Sequence, residues 1–298
     1  MSIHDPLLTD CLRQLGVTTG AVVYVATDLT RLPLPTLDRS VIANASERRL
    51  QRLEWVYQSV LHAIGKEGTL VVPTFSYDYA RNHTPFVYES SPSEVCNFSE
   101  YIRCKPNAVR SLHPLFSITA IGPDANAICS DVGRSAYGAR SAFAKLLEVD
   151  ATFVFLGAPL RESLTYAHHL EHLYGVNHYI HKAFDAPVFK NQQKVAGPWF
   201  AFVRYLGCGI DITVKRLEEH LRKHDLLREL RTRRGELQVA KCADVHREGL
   251  RCLDDNPWFF IEQPRYVRFQ QANLQIFDDK RPTTLVGFVN GDGADVSA

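Results

Sequence analysis

The chain has 298 residues, of which 34 are basic and 33 acidic, for a formal charge of +1; 45% are hydrophobic and 22% charged. That is enough apolar mass for one large domain or two small ones, and no net field favours nucleic acid or an anionic membrane. The seven cysteines are odd in number and contain no C-x-x-C pair, which argues against a disulfide framework or a cysteine zinc site and for a reducing, cytoplasmic setting. The start, Met1-Ser2-Ile3-His4-Asp5-Pro6, lacks the basic-then-apolar order of a signal peptide, and no run approaches the ~20 apolar residues of a membrane span.

In chain order, residues 21–26 (AVVYVA) form a short β-rich run. Residues 48–64 carry apolar side chains at helical spacing, and 69–73 (TLVVP) read as a buried strand. Asn97 and Glu100 have the spacing of a helix cap and its capping-box partner. Residues 117–121 follow as a strand, Ser141 caps a helix over 142–149, and 152–156 (TFVFL) is a strand ending at Gly157. A helix capped by Ser163 then carries Thr165-Tyr166-Ala167-His168-His169-Leu170-Glu171-His172. The later part reads as a hairpin over 186–195 and 198–206, a helix over 211–223, a strand over 235–241 and a helix over 243–254. Beyond Phe260 the pattern weakens, and the end, 291–298, reads as a loose tail. Strand–helix alternation predicts an α/β fold, a layered sheet flanked by helices on both faces, with a β-hairpin-rich C-terminal lobe. The expected organisation is a single domain over 1–263, built of two intertwined lobes that part near 185, and a partly flexible extension over 264–298.

In such a sheet, functional groups gather beyond the carboxyl ends of strands. Three loops satisfy that rule: 27–29, 74–76 and 158–163. On one continuous helix, Thr165, His168 and Glu171 would form a drifting stripe, and a histidine beside a carboxylate suits proton abstraction near neutral pH. The same letters spell His168-x-x-Glu171-His172, the inverted zinc-peptidase order, with two histidines as ligands and a glutamate base. From this segment alone, general base, zinc site and plain surface helix all stay open. A second group, Arg110-Ser111-Leu112-His113-Pro114 with Ser117, sets a cation, hydroxyls and an imidazole in one loop; Arg110 could hold a phosphate. No Walker loop, G-x-G-x-x-G or G-x-S-x-G is present.

Six segments in order carry a family resemblance: Gly68–Ser76 (GTLVVPTFS), 91–95 (SPSEV), 110–114 (RSLHP) with Ser117, Tyr137-Gly138 with 141–146 (SAFAKL), 156–160 (LGAPL), and 165–172 (TYAHHLEH). Together they resemble the aminoglycoside (3-N)-acetyltransferase family, whose members use acetyl-coenzyme A and are distinct from GNAT enzymes. The resemblance implies N-acetyl transfer from acetyl-CoA to a primary amine of an aminoglycoside or amino-sugar acceptor. It implies His168 as base, Glu171 as its orienting partner, and a site without metal. It implies coenzyme contacts at Thr27, Asp28, Leu29, Thr74, Phe75, Ser76, Arg110, Ser111, His113, Ser117, Tyr137, Gly138 and Phe143, and acceptor contacts at Tyr88, Glu89 and Thr165. The sequence departs from the family where His-Ser-Ser-Leu becomes Ala26-Thr27-Asp28-Leu29, which sets a negative charge on the coenzyme loop. A nucleotide-linked amino-sugar acceptor, a zinc hydrolase and a catalytically silent coenzyme-binding relative are the alternatives. The expected partners are an acyl-CoA and a small amine, with no nucleic acid or membrane; a homo-oligomer is left open.

Overall fold

The strands at 22–27, 69–73 and 152–156 are mostly apolar and are buried at every position but Thr27, and only a sheet covered on both faces can bury such strands. The computed structural model describes residues 6–32, 44–204, 211–231 and 235–262, with two short strands at 268–269 and 288–289. In chain order the elements are α1 (Pro6–Gln14), β1 (Val22–Thr27), α2 (Ala45–Ile64), β2 (Thr69–Pro73), α3 (Asp78–Arg81), β3 (Phe86–Val87), α4 (Asn97–Arg103), β4 (Val109–Arg110), β5 (Ile118–Ile121), α5 (Ala125–Cys129), α6 (Ala142–Glu148) and β6 (Thr152–Leu156). They continue as α7 (Leu160–Ser163), α8 (Ala167–Tyr174), β7 (Tyr179–Phe184), β8 (Val188–Lys190), β9 (Gln193–Val195), β10 (Trp199–Arg204), α9 (Lys215–Lys223), β11 (Arg228–Arg231), β12 (Glu236–Lys241), α10 (Cys242–Asp255), β13 (Arg268–Phe269) and β14 (Phe288–Val289).

Seven strands form one sheet in the order β11-β12-β6-β1-β2-β5-β4. The core trio β6-β1-β2 is parallel, and antiparallel pairs extend it on both sides. Side chains alternate between two cores, as a strand's period of two requires. Val23, Val25, Leu70, Val72, Val154 and Leu156 pack with α1, α2 and α4. Tyr24, Ala26, Val71, Phe153 and Phe155 face the other way, onto α5, α6, α8 and α10. Outside the sheet, β7 pairs antiparallel with β10, and β8–β9 form a hairpin turned by Asn191 and Gln192, both at positive φ. The predicted α/β class and both helical layers are therefore present. The second half does more than form hairpins, however, because β11 and β12 rejoin the main sheet beside β6. The expected extension over 264–298 lies almost wholly outside the described residues, as does the tail at 291–298. No helix among the described residues is long and apolar enough to cross a membrane.

Two cap assignments need correction. Cys96, not Asn97, caps α4: its Sγ accepts the Ser99 amide, while Glu100 accepts from Ser93. Ser163 does not cap the histidine helix. Its hydroxyl turns back to the carbonyls of Ala158 and Pro159 and closes α7, so a break separates α7 from α8. Thr165 thus lies before the helix and does not continue the stripe of His168 and Glu171.

The carboxyl ends of β1, β2 and β6 meet at one edge, where β6 leaves the sheet through Gly157. Its φ is +69°, and a Cβ there would lie 2.4 Å from the Asp28 carbonyl oxygen. Gly157→Ala is expected to cost at least about 1–3 kcal/mol from left-handed backbone alone. A urea titration checks this; an unchanged midpoint would contradict the close approach.

Candidate active site

Helix α8 sets His168 and Glu171 one turn apart, and the side chains meet: Nδ1 of His168 lies 3.0 Å from Oε2 of Glu171. Glu171 has no exposed side-chain surface, whereas His168 keeps 28%. A buried carboxylate stays charged only when donors surround it. Three do so here: His168, Nε2 of His178 at 3.3 Å, and the Tyr179 hydroxyl. Burial raises the Glu171 carboxyl, but the hydrogen bonds from His168 and His178 outweigh it and hold the group below the ordinary carboxylate value. Assigned from these partners, Nδ1 of His168 carries the proton and Nε2 carries the lone pair. The rings of Tyr137 and Tyr179 flank His168 at 5.5 and 6.0 Å, and the Tyr179 hydroxyl lies 3.2 Å from Nδ1.

The two other histidines of the helix do different work. His169 is buried, with Nδ1 2.6 Å from the Tyr137 carbonyl. His172 packs on His181 and Phe202, ring centroids 4.9 and 5.1 Å away, and its Nδ1 is buried without a hydrogen-bond partner. The Glu171 carboxylate is turned to His168 and His178, and among the described residues no three His, Cys, Asp or Glu side chains form a group able to hold a metal.

The sheet edge beside α8 is polar but internally committed. Arg110 is buried and sends Nε to Ser117 Oγ (2.9 Å), Nη1 to the Ser91 carbonyl (2.5 Å), and Nη2 to the Thr74 carbonyl (2.8 Å) and Ser76 Oγ (3.0 Å), while its guanidinium lies over the Phe86 ring. Burial, then Arg103, push its pKa down to about 9, so it stays charged at neutral pH. With four of its five N–H donors so used, the guanidinium welds three loops together. Thr74 Oγ1 bonds Ser117 and Thr119, Ser76 donates to Pro92, and Ser111 accepts the Ile118 amide. His113 is buried: Nε2 reaches the Phe200 carbonyl and Nδ1 accepts the Phe116 amide, which ties this loop to β10. Phe75, Tyr137 and Phe143 form an aromatic cluster with Phe116, and a Cβ at Gly138 would meet Ser135 Oγ closely, at 3.1 Å.

Of the first-strand loop, Thr27 is half-buried against Cys96 Sγ, and Leu29 packs on the second core. Asp28 accepts from the Thr30 amide and hydroxyl and pairs with Arg31 at 2.8 Å, an arginine it shares with Glu162 at 2.6 Å. Burial raises its carboxyl, but Thr30 and Arg31 lower it on balance. Neither Tyr88 nor Glu89 makes a contact with the His168 pair: the Tyr88 hydroxyl donates to the Arg110 carbonyl at 2.6 Å, and exposed Glu89 accepts the Asn191 amide. Thr165 stands beside the Tyr24 hydroxyl without closing a hydrogen bond to it. Sequence reasoning passed over His178 and Tyr179, because β7 (YIHKAF) sets two polar residues between two apolar pairs and so lacks the alternation that marks a strand. The cue was the Asn177-His178-Tyr179 step just after the helix.

Burial lowers His113 and His169 from 6.5 to about 4 each. Both are neutral in the fold and protonate more readily when unfolded. Stability should be full above about pH 6.5 and fall toward pH 4, by up to about 1.4 kcal/mol per pH unit for each histidine. Urea midpoints at pH 7 and pH 5 test this: the drop should shrink in His113→Gln, and a midpoint independent of pH would contradict it.

Residues 46–254 match the family model described as aminoglycoside 3-N-acetyltransferase. Aminoglycoside N(3)-acetyltransferase III of Pseudomonas aeruginosa is 27% identical over 158 residues, 47% of this chain and 58% of the relative. Aminoglycoside N(3)-acetyltransferase VIII of Streptomyces fradiae is 40% identical over 136 residues, 39% of this chain and 47% of the relative. The chain thus spans about half the length of the curated relatives it matches. Among solved structures, the apoenzyme of aminoglycoside acetyltransferase AAC(3)-IVa superposes with a TM-score of 0.66 at 23% identity, over 87% of this chain and 91% of its own. AAC-IIIb, solved as a binary complex with CoASH, gives 0.68 at 20% identity, over 88% and 99%. These likenesses establish a shared fold, and with a family match that runs from α2 to α10, the chain belongs to the aminoglycoside 3-N-acetyltransferase family.

Proposed function

We propose that the protein is an acetyl-CoA-dependent N-acetyltransferase acting on a primary amine of an aminoglycoside or a similar amino sugar. One observation carries this reading: a half-buried histidine whose Nδ1 is held by a buried carboxylate, with Nε2 left to accept a proton. An amine attacks a thioester only through its lone pair, so its proton must pass to a base. In the proposed reaction the amine nitrogen bonds to the acetyl carbonyl carbon while Nε2 of His168 takes the N–H proton. The carbon–sulfur bond then breaks, and the sulfur leaves as thiolate and recovers that proton from His168. Glu171 stabilises the imidazolium in between, as the carboxylate does in a Ser-His-Asp triad.

Coenzyme A would lie along the sheet edge at Thr27, Asp28, Leu29, Thr74, Phe75, Ser76, Ser111, Ser117, Tyr137 and Phe143. Two features support that placement. The Asp28 charge is already paired with Arg31, and so does not stand free against the coenzyme's phosphates. The Thr74 hydroxyl is bonded to those of Ser117 and Thr119, and Ser117 donates to the Thr74 carbonyl, so the hydroxyls along the edge are fixed dipoles. Arg110 acts there as the positioning residue that fixes the loops. The AAC-IIIb complex with CoASH, on the same fold, supports the choice of coenzyme.

Thiol release from acetyl-CoA, measured against a panel of aminoglycosides and amino-sugar nucleotides, tests the reading. His168→Ala should lower kcat by about 10²–10⁴-fold, the usual worth of a general base, with the acceptor KM little changed. Turnover in that variant close to wild type would remove His168 from its role. Absence of turnover with every amine would remove the activity itself.

A further inference from the structure

Glu171 has two carboxylate oxygens, and His168 uses only Oε2. The other, Oε1, faces Nε2 of His178 at 3.3 Å, in a ring with 1% side-chain exposure. That ring stacks on Trp258, centroids 5.0 Å apart and planes at 22°, which fixes its orientation. Nδ1 of His178 is buried and has no hydrogen-bond partner. A ring that donates from Nε2 to a carboxylate and keeps a bare Nδ1 is the neutral tautomer. The other groups facing this carboxylate are Tyr179 of β7 and Tyr137 of the loop before α6; Arg204 of β10 acts electrostatically on Tyr179.

We infer that His178 is a positioning residue: its Nε2–H holds the Glu171 carboxylate with Oε2 toward His168, and by sharing the negative charge it makes His168 less basic than a carboxylate serving one imidazole would. The inference rests on the acetyl-transfer reading for its catalytic meaning, but its geometry does not depend on the substrate. A base that is too strong would be protonated at working pH, and a base that is too weak would not take the amine proton. The second imidazole sets the balance from outside the reacting atoms.

The test is an NMR titration of the His168 ring in the full-length protein, with the acid limb of kcat/KM followed in parallel. Wild type is compared with His178→Phe, which keeps the stacking surface but removes the donor, and with His178→Gln, whose amide nitrogen replaces Nε2–H. In His178→Phe the Glu171 charge concentrates on His168, so the imidazolium gains stability and its midpoint should rise by about half to one pH unit. His178→Gln should return it to the wild-type value. A His178→Phe midpoint equal to wild type overturns the inference, and so does an equal shift in both variants, which would mark His178 as packing alone. If the midpoint shifts and recovers as stated while wild type acetylates no amine, the positioning role stands and the acetyl-transfer reading fails.

Discussion

A carboxylate without solvent can keep its charge only where hydrogen-bond donors replace the water it has lost, and Glu171 is that group here. Its neighbours are fixed by this need. His168 donates along the same helix, while His178 and Tyr179 come from the segment that begins the β7–β10 pair. The segment that follows α8 therefore holds the helix in place through Glu171. The break between α7 and α8 belongs to the same arrangement: Ser163 closes the short helix, and α8 starts after Tyr166 with His168 and Glu171 one turn apart.

A second buried charge, Arg110, is solved by other means. Among the described residues no carboxylate pairs with it; two backbone carbonyls and two hydroxyls take four of its donors. That choice joins β2, β4 and the 91–93 turn into one sheet edge held by a buried positive charge. His113 extends the brace to the Phe200 carbonyl on β10. Rigid scaffolding under a polar edge is what a transferase needs if two substrates are to be held in a near-attack arrangement.

Much of this was legible in the sequence. The apolar strands 69–73 and 152–156 are found at those bounds, because full burial on both faces leaves a composition that little else produces. The pairing of His168 with Glu171 follows from helical spacing. What the sequence hid is of two kinds. Weakly apolar strands such as β7 and β11 owe their existence to partners far along the chain, so local periodicity does not reveal them. Polar residues in motifs suggest contact with ligands, yet Arg110, Tyr88, Ser111 and His113 spend their polar atoms on the protein. A motif marks where side chains are constrained, not which way they face. Asp28 is the converse case, since a charge that looked misplaced in the loop is paired with Arg31 three residues on, which also holds Glu162.

The central claim is that a carboxylate-held His168 presents Nε2 to an acceptor amine. A crystal structure of the protein with coenzyme A and an aminoglycoside addresses it most directly. The account predicts one acceptor amine within hydrogen-bond distance of Nε2, about 3 Å, with the coenzyme thiol on the far side of that nitrogen and Nδ1 still on Glu171. A complex in which both ligands are bound and no amine approaches Nε2, or in which Glu171 has let go of His168, would contradict it.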